Sequence, residues 1–580
     1  MKTKFFITLI STLWLVTSYS QNKLTGKVFE VTGKGDTSAL PGVLVKWINT
    51  TTAGFSNEQG QFELLYSPKT DTIIVSNIGY KTDTLKIDTT KRFIVLYLSD
   101  IKTLNEVQIT YKSNGTEFSM MSAIKIETLG QRELMKAACC NLSESFETNP
   151  SIDVNFSDAV TGTKQIQMLG LSGQYALISK ENMPYLRGLA SIYGLSFIPG
   201  SWIQSIQLSK GAGTVINGYE SFTGQINTEL QNPANSERLF FNAYVNANAR
   251  NEYNLNLSRK LNETWSTGLL LHASSNPLRQ DMNHDGFLDI PTGSQINVAN
   301  KWSYQTRKGF EGQFGGSYVS DKRQGGQDHD FVSHKHSDST KLYEIGINTE
   351  RFDVFAKNGY VFKKRPATSM GLQLNYSGHH QDNFYGNNKY KGDQATAYAN
   401  FIFESFLGNT NHTYKLGASF ISDEVKETFN QTQFKRNEIV PGTFVEYTYN
   451  YLEKFNVVAG LRADYHNYYG LFFTPRLHMR YAMNEGKSVF RASGGRALKT
   501  ANIYAENTHL MASSRSFVIE PGNFAMPYGL DAEVAWNYGV NYTQKFKLDF
   551  RDAYVTVDVY RTDFENQVVI DLDADAQKVV

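Results

Sequence analysis

Beyond residue 233, apolar and polar positions alternate over unusually long stretches. Leu239, Phe241, Ala243, Val245 and Ala247 fall on one side of the first stretch, with Asn242, Tyr244, Asn246 and Asn248 on the other. The period returns with Tyr253, Leu255 and Leu257 against Asn254, Asn256 and Ser258, and again with Ala553, Val555, Val557 and Val559 against Asp552, Thr556 and Asp558. A period of two predicts strands with one apolar and one polar face. Strands this long, flanked by aromatic residues, suit lipid on one side and water on the other, as in a transmembrane barrel. A water-soluble β-helix or sandwich would bury its apolar faces and would not need such length.

Roughly fifteen such strands fit before Asp571, at about 23 residues each. Short connections at 262–264, 307–309, 453–456 and 484–487 alternate with long ones at 278–294, 324–341, 381–393, 423–437 and 499–530. Short turns at one end and long external loops at the other are the asymmetry of outer-membrane barrels.

Upstream the pattern changes. Residues 1–20 read as a signal peptide: Lys2 and Lys4, the apolar run 5–16, then Ser18 and Ser20 before a cut at Gln21. Residues 21–99 hold short strands at 24–29, 42–48, 60–65, 72–76, 83–87 and 92–98, the spacing of a small β-sandwich. Residues 100–125 are a polar linker, 126–232 a compact mixed α/β unit with a helix expected at 141–148, and 233–580 the strand-rich region. The fold class is therefore all-β dominated.

Composition narrows the function. The 580 residues carry 57 Lys plus Arg against 56 Asp plus Glu, so no basic surface calls for nucleic acid. Mean hydropathy is −0.39, and past the signal peptide no run is long enough for a spanning helix. With 37 Phe, 33 Tyr, 45 Gly and only 2 Cys, the chain is an exported protein without a disulfide framework.

Several segments carry resemblances. "GKVFEVTGKGDTSALPGVLVKWINTTTAGFSNEQGQFEL" with "TIIVSNIGY" resembles the carboxypeptidase-regulatory-like domain. Leu104, Asn105, Glu106, Val107, Gln108, Ile109 and Thr110 can add to another protein's sheet as an edge strand, and the segment resembles a TonB box. "LSESFETNPSIDVN" and "WIQSIQLSKGAGTVINGYESFTGQINTEL" resemble the opening and close of a TonB-dependent receptor plug, with Gly211, Gly213, Gly218 and Gly224 in the closing turn. Leu169 stands where many of these receptors carry Arg. A Gly-rich turn can also cradle phosphate, but no Lys-Ser/Thr pair or helix pattern follows this one. "GLRADYHNYYGLFFTPRLHMRYAMNEGKSVFRASGGRALKTANIYAEN" resembles mid-barrel sequence of the same family, with Arg476, Arg496 and Glu506 at matching positions.

The resemblance implies an outer-membrane receptor taking up a scarce ligand, with a ferric siderophore or other metal chelate the first expectation; vitamins, oligosaccharides and peptides stay open. Its partners would be TonB with the inner-membrane energising complex, and outer-membrane lipid, with the N-terminal domain and the box in the periplasm. Family barrels close with about 22 strands. This chain stops with roughly seven unmade, so a truncated product is expected. The competing expectation is a surface adhesion or assembly barrel that transports nothing.

Candidate chemistry sits mostly in predicted loops. "QDHDFVSHKHSD" gathers Asp328, His329, Asp330, His334, His336 and Asp338, and His379 and His380 are expected in the next loop. Imidazole suits Zn, Cu, Fe and Ni, so this set either captures a transition metal or its chelate, or forms a solvated polar loop. Replacing His329, His334 and His336 by Ala should weaken uptake if the first holds. Asp281, Asn283, Asp285 and Asp289, with Gly286 at position six, match a Ca²⁺ loop except that Thr292 replaces the closing Glu. Cys139 and Cys140 are placed to form a strained disulfide, bind a soft ion, or simply pack. No cofactor is required, and with no nucleophile elbow, HExxH helix or paired-acid scaffold the chain does not read as an enzyme.

Overall fold

The computed structural model describes residues 23–31, 37–67, 70–80, 82–88, 91–99, 116–119, 122–136, 140–147, 149–157, 161–328, 342–520 and 522–580. The chain divides into two compact units, Met1–Tyr111 and Lys112–Val580.

The first unit is two four-stranded sheets. Lys23–Val31 pairs with Thr37–Ala39, Gln61–Leu65 and Phe93–Ser99, the last in parallel, while Ala53–Phe55, Leu44–Trp47, Thr72–Ser76 and Asp83–Lys86 form the second sheet. Alternation puts Val28, Val45, Phe62, Leu64, Ile73 and Val75 into one core around Trp47, whose indole N–H donates to Leu65 O at 2.9 Å.

The second unit is a small inner domain within a large sheet. The inner domain has a six-stranded sheet in the order Met183–Pro184, Ala176–Lys180, Gly224–Leu230, Ile203–Lys210, Ile126–Gly130 and Thr116–Phe118. The helix expected at 141–148 is not there. The described α-helix is Gln131–Lys136, and Glu144–Phe146 makes one 3-10 turn. The Asn141 side chain explains this by accepting from the backbone N–H of Ser143 at 3.0 Å and Glu144 at 3.3 Å, which closes a local turn in place of a longer helix.

Fifteen antiparallel strands form the large sheet, from Leu239–Val245 at one edge to Arg551–Asn566 at the other. Register runs unbroken over long pairs, for example Phe310↔Tyr360 to Gly326↔Glu344, and shifts between Phe406 and Leu407. The alternation behaves as expected: Tyr253, Leu257, Val298, Leu374 and Phe473 face outward, and Asn254, Asn256, Asn297, Thr349 and Asp353 are buried on the inner side. Aromatic pairs such as Trp265 with Tyr304 at 5.1 Å and Phe310 with Tyr360 at 4.5 Å ring the short-turn end. No helix among the described residues is long and apolar enough to cross a membrane, which leaves crossing by strands untouched.

Two expected loops are not loops. Ser369–Tyr385 and Asn388–Leu407 are joined by two residues, and so are Asn409–Phe429 and Thr432–Tyr451. Gly386 and Asn430, both with positive φ, make these turns tight. The segments read as loops because the strands continue past the apolar band, where both faces are polar. His380, Asp393, Glu424 and Lys426 lie on the outer face there and pair with one another.

Candidate functional site

The inner domain is fastened to the wall by buried ion pairs. The turn after Ala176–Lys180 places Glu181 and Asn182 in the left-handed region, with φ of 56° and 61°, and this aims two successive side chains at the sheet. Lys180 Nζ lies 2.8 Å from Asp353, and Glu181 lies 2.6 Å from Lys301 and 2.7 Å from Lys357. Burial pushes the Glu181 carboxyl up, but the two ammonium groups outweigh it and hold it at about 2.

Toward the long-loop end a second cluster forms. Arg187 reaches Glu220 at 2.8 Å, Asp423 at 3.1 Å and Glu438 at 3.4 Å, around a small space of about 30 Å³. Burial disfavours the Arg187 cation, yet Glu220 and Asp423 hold it firmly charged. Behind it Lys499 pairs with Glu506 at 2.7 Å. Tyr175 donates to Glu533 at 2.7 Å, and burial together with that carboxylate pushes its phenol up to about 12.

The apex of the inner domain meets the long segment after Ser488–Lys499. Tyr193 Oη is 2.9 Å from Tyr385 Oη and 3.1 Å from Thr508 Oγ1, and Met511 is fully buried. Asn388 Nδ2 donates to Met511 O at 2.7 Å, and the Tyr343 hydroxyl to Ala512 O at 2.7 Å. The segment therefore roofs the inner domain. Beside the roof opens a cavity of about 540 Å³, lined by Phe434, Tyr468, Tyr504, Phe517, Phe524 and Tyr528 with Glu427, Lys435 and Arg436. Sequence reasoning took residues 499–530 only as a loop; the aromatics at 504, 517, 524 and 528 were the signal available.

The expected metal residues are scattered. His379 lies on an interior face, 4 % exposed and 6.0 Å from the Phe197 ring, while His380 points outward to Asp393 at 2.7 Å. Adjacent residues of one strand face opposite sides, so the pair cannot share an ion. Asp328 pairs with Arg279 at 3.4 Å, and its backbone N–H donates to Gly286 O at 2.8 Å, which joins the loop 277–291 to the start of the next. His329, Asp330, His334, His336 and Asp338 lie outside the described residues, as do Leu104 to Thr110 and Cys139.

In the Ca²⁺-like loop, Asp281 accepts from the N–H of Asp285 and Gly286, Asp289 from Met282, and Asp285 from Phe287 and the Asn283 amide. Its carboxylates hold their own backbone. Among the described residues no three His, Cys, Asp or Glu side chains gather as around a metal ion. Burial, followed by the Glu144 charge, pushes the Cys140 thiol far up.

The Gly-rich turn shows what its glycines are for. Gly211 and Gly213 have φ of 85° and 66°, and the carbonyls of Gly213 and Thr214 accept from His478, at 2.7 Å, and from Arg476. The turn offers oxygens to the wall, not N–H groups to a phosphate. Arg496 pairs outward with Glu565 at 2.7 Å, and Leu169 occupies a tight turn with φ of 56°.

An inner domain filling a strand-built wall is the geometry of a plugged barrel, and family comparison decides which one. A family model described as "TonB dependent receptor-like, beta-barrel" matches residues 203–578, most of the chain. The chain belongs to this family. The TonB-dependent receptor plug domain matches residues 119–225, and a CarboxypepD_reg-like domain matches 24–109. No curated protein matches the sequence.

Among solved structures, a mutant of the ferric enterobactin receptor PfeA from Pseudomonas aeruginosa is similar over 77 % of this chain and 71 % of its own, at 14 % identity and a TM-score of 0.59. The siderophore receptor PirA from Acinetobacter baumannii matches over 77 % and 71 %, at 15 % identity and 0.60. FpvA from P. aeruginosa, solved with a heterologous pyoverdine and iron, matches over 80 % and 67 %, at 12 % identity and 0.60. The chain is thus an outer-membrane receptor of the TonB-dependent family, with its plug facing the periplasm, and the family is one of receptors, not enzymes.

Proposed function

We propose that this receptor captures a ferric siderophore or a comparable metal chelate in the aromatic cavity above its plug and takes it inward. On this reading TonB pairs with residues 104–110 and pulls. The observation that carries the reading is the cavity itself. At about 540 Å³ it has the size of a small-molecule site, and its rings surround only a few charged groups. Its wall is continuous with the plug's roof, because Tyr504 packs on Phe429 at 5.3 Å and the roof reaches Tyr193 through Thr508. A ligand seated there touches the segment that covers the plug. The similar structures include a ferric enterobactin receptor and a siderophore receptor, which favours a metal chelate over a vitamin, sugar or peptide.

Equilibrium binding to the purified chain tests this, with iron(III) tris-catecholate and tris-hydroxamate complexes set against cyanocobalamin, a maltooligosaccharide and a short peptide. Phe524 lines the cavity and is 88 % exposed, so Phe524→Ala leaves the fold intact. Binding of an iron complex that weakens about tenfold in Phe524→Ala is expected. Binding of the sugar, vitamin or peptide alone would overturn the siderophore assignment.

A further inference from the structure

Cations between the plug and the lumen wall are mostly matched by carboxylates: Lys180 by Asp353, Lys301 and Lys357 by Glu181, Arg323 by Asp321, Lys499 by Glu506. Three exceptions gather in one place. Arg476 and Arg480 project inward from Gly470–Met483 with His478 between them, and Arg491 projects from Ser488–Lys499 directly opposite Arg480. Like charges opposite one another on a strand pair are destabilising. Yet all three are buried, at 3 %, 4 % and 4 % exposure.

Their partners are carbonyl oxygens. Arg476 donates to Thr214 O, Arg480 to Glu453 O at 2.6 Å, and Arg491 to Ser119 O at 2.8 Å and Ser122 O at 3.4 Å, with the Asn541 amide oxygen at 3.3 Å. Arg476 Nε and Nη2 and Arg480 Nε meet no hydrogen-bond acceptor among the described residues. Nearby carboxylates are engaged: Asp464 with Arg462 at 2.7 Å, Asp558 with Lys125 at 3.1 Å and Lys210 at 3.6 Å, and Glu446 with the Thr214 hydroxyl. Elsewhere Arg351, also without a carboxylate, stacks on the Tyr185 ring at 4.8 Å.

The carbonyls of Ser119, Ser122 and Thr214 belong to the plug. Thr116–Phe118, just before Ser119, is the edge strand of the plug sheet and is held through three residue pairs to Ile126–Gly130. It is also the described plug element nearest in sequence to residues 104–110. A pull from that side peels this strand first and takes Ser119 and Ser122 away from Arg491.

We infer that Arg476, Arg480 and Arg491 form an anion-binding track on the lower lumen wall, its Arg491 end uncovered when the first plug strand leaves and its Arg476 end when the Gly-rich turn follows. The track fits a complex bearing several anionic oxygens, catecholate or carboxylate, because guanidinium forks pair with such oxygens. Above it, around Arg187, the carboxylates of Glu220, Asp423, Glu427 and Glu438 outnumber Arg187 and Arg436. An anion past the plug apex is therefore drawn toward the short-turn end. This deepens the uptake reading and rests on it, but its test needs no transported ligand.

The full chain with Cys139→Ser keeps Cys140, a half-buried plug residue, as its sole thiol. Plug opening in urea is followed by maleimide labelling, in inorganic pyrophosphate or in sodium chloride of equal ionic strength. An anion that binds only the opened form favours opening. Pyrophosphate should lower the urea midpoint and speed labelling about tenfold at fixed urea. The triple substitution Arg476→Gln, Arg480→Gln and Arg491→Gln should erase the difference between salts, and the three Lys substitutions should restore it in part. Arginines that merely anchor the plug would shift both salts equally. An unchanged pyrophosphate effect in the Gln variant, or none in the parent, overturns the track. If the triple variant does not assemble, Arg480→Gln alone should halve the effect. Uptake that fails while the pyrophosphate effect stands would sink the uptake reading and not the track.

Discussion

The Glu181 carboxylate lies 2.6 Å from the Lys301 ammonium, joining a plug turn to the barrel wall where neither residue is more than 3 % exposed. Lys357 closes the same carboxylate from the other side at 2.7 Å. Removing the anion leaves the buried Lys301 and the partly buried Lys357 facing an amide, and breaking a buried pair from one side costs about 3–5 kcal/mol. Glu181→Gln should therefore loosen the plug by that order while the strands outside keep their pairing. Hydrogen exchange of Ala176–Lys180 and Gly224–Leu230 checks it: faster exchange confined to the plug is expected.

The same carboxylate sets a pH dependence. Its folded-state value of about 2 lies below the ordinary 4.5, so its stabilisation is complete above pH 4.5 and is lost as pH falls toward 2. A depression of this size corresponds to about 3 kcal/mol. Plug exchange rates should be level between pH 5 and 7 by this group's contribution and rise below about 4.5. In Glu181→Gln that component of the acid response should be missing.

Tyr193 ties the plug apex to Tyr385 on the wall and to Thr508 in the roof. Tyr193→Phe keeps the ring and removes the hydroxyl, leaving two buried hydroxyls short of a partner at about 1–3 kcal/mol. Amide exchange of residues 508–513 should quicken, with little change in the plug sheet. Equal protection in both proteins would show that the roof is held by packing alone.

The fold was legible where one local rule applies. Alternation placed Asn254 and Asn256 inside and Tyr253 and Leu257 outside, and the strand count followed from it. The rule fails where strands outrun the apolar band, so Gln381, Asp382 and Asn383 read as loop although they continue a strand. The helix expected at 141–148 does not form because one Asn side chain closes a shorter turn. The plug's fastening was not legible at all. Glu181 meets lysines 120 and 176 positions away, and no spacing in the sequence joins them. His379 and His380 likewise continue a strand and not a loop, and composition does not say which side of a strand a residue faces.

Uptake by energised cells that display the full chain tests the central claim most directly, using radiolabelled iron(III) tris-catecholate and a variant lacking residues 104–110. With the deletion, surface binding should persist and accumulation should fall to the background of cells without the receptor. Accumulation that continues unchanged without those residues would contradict TonB-driven transport by this protein.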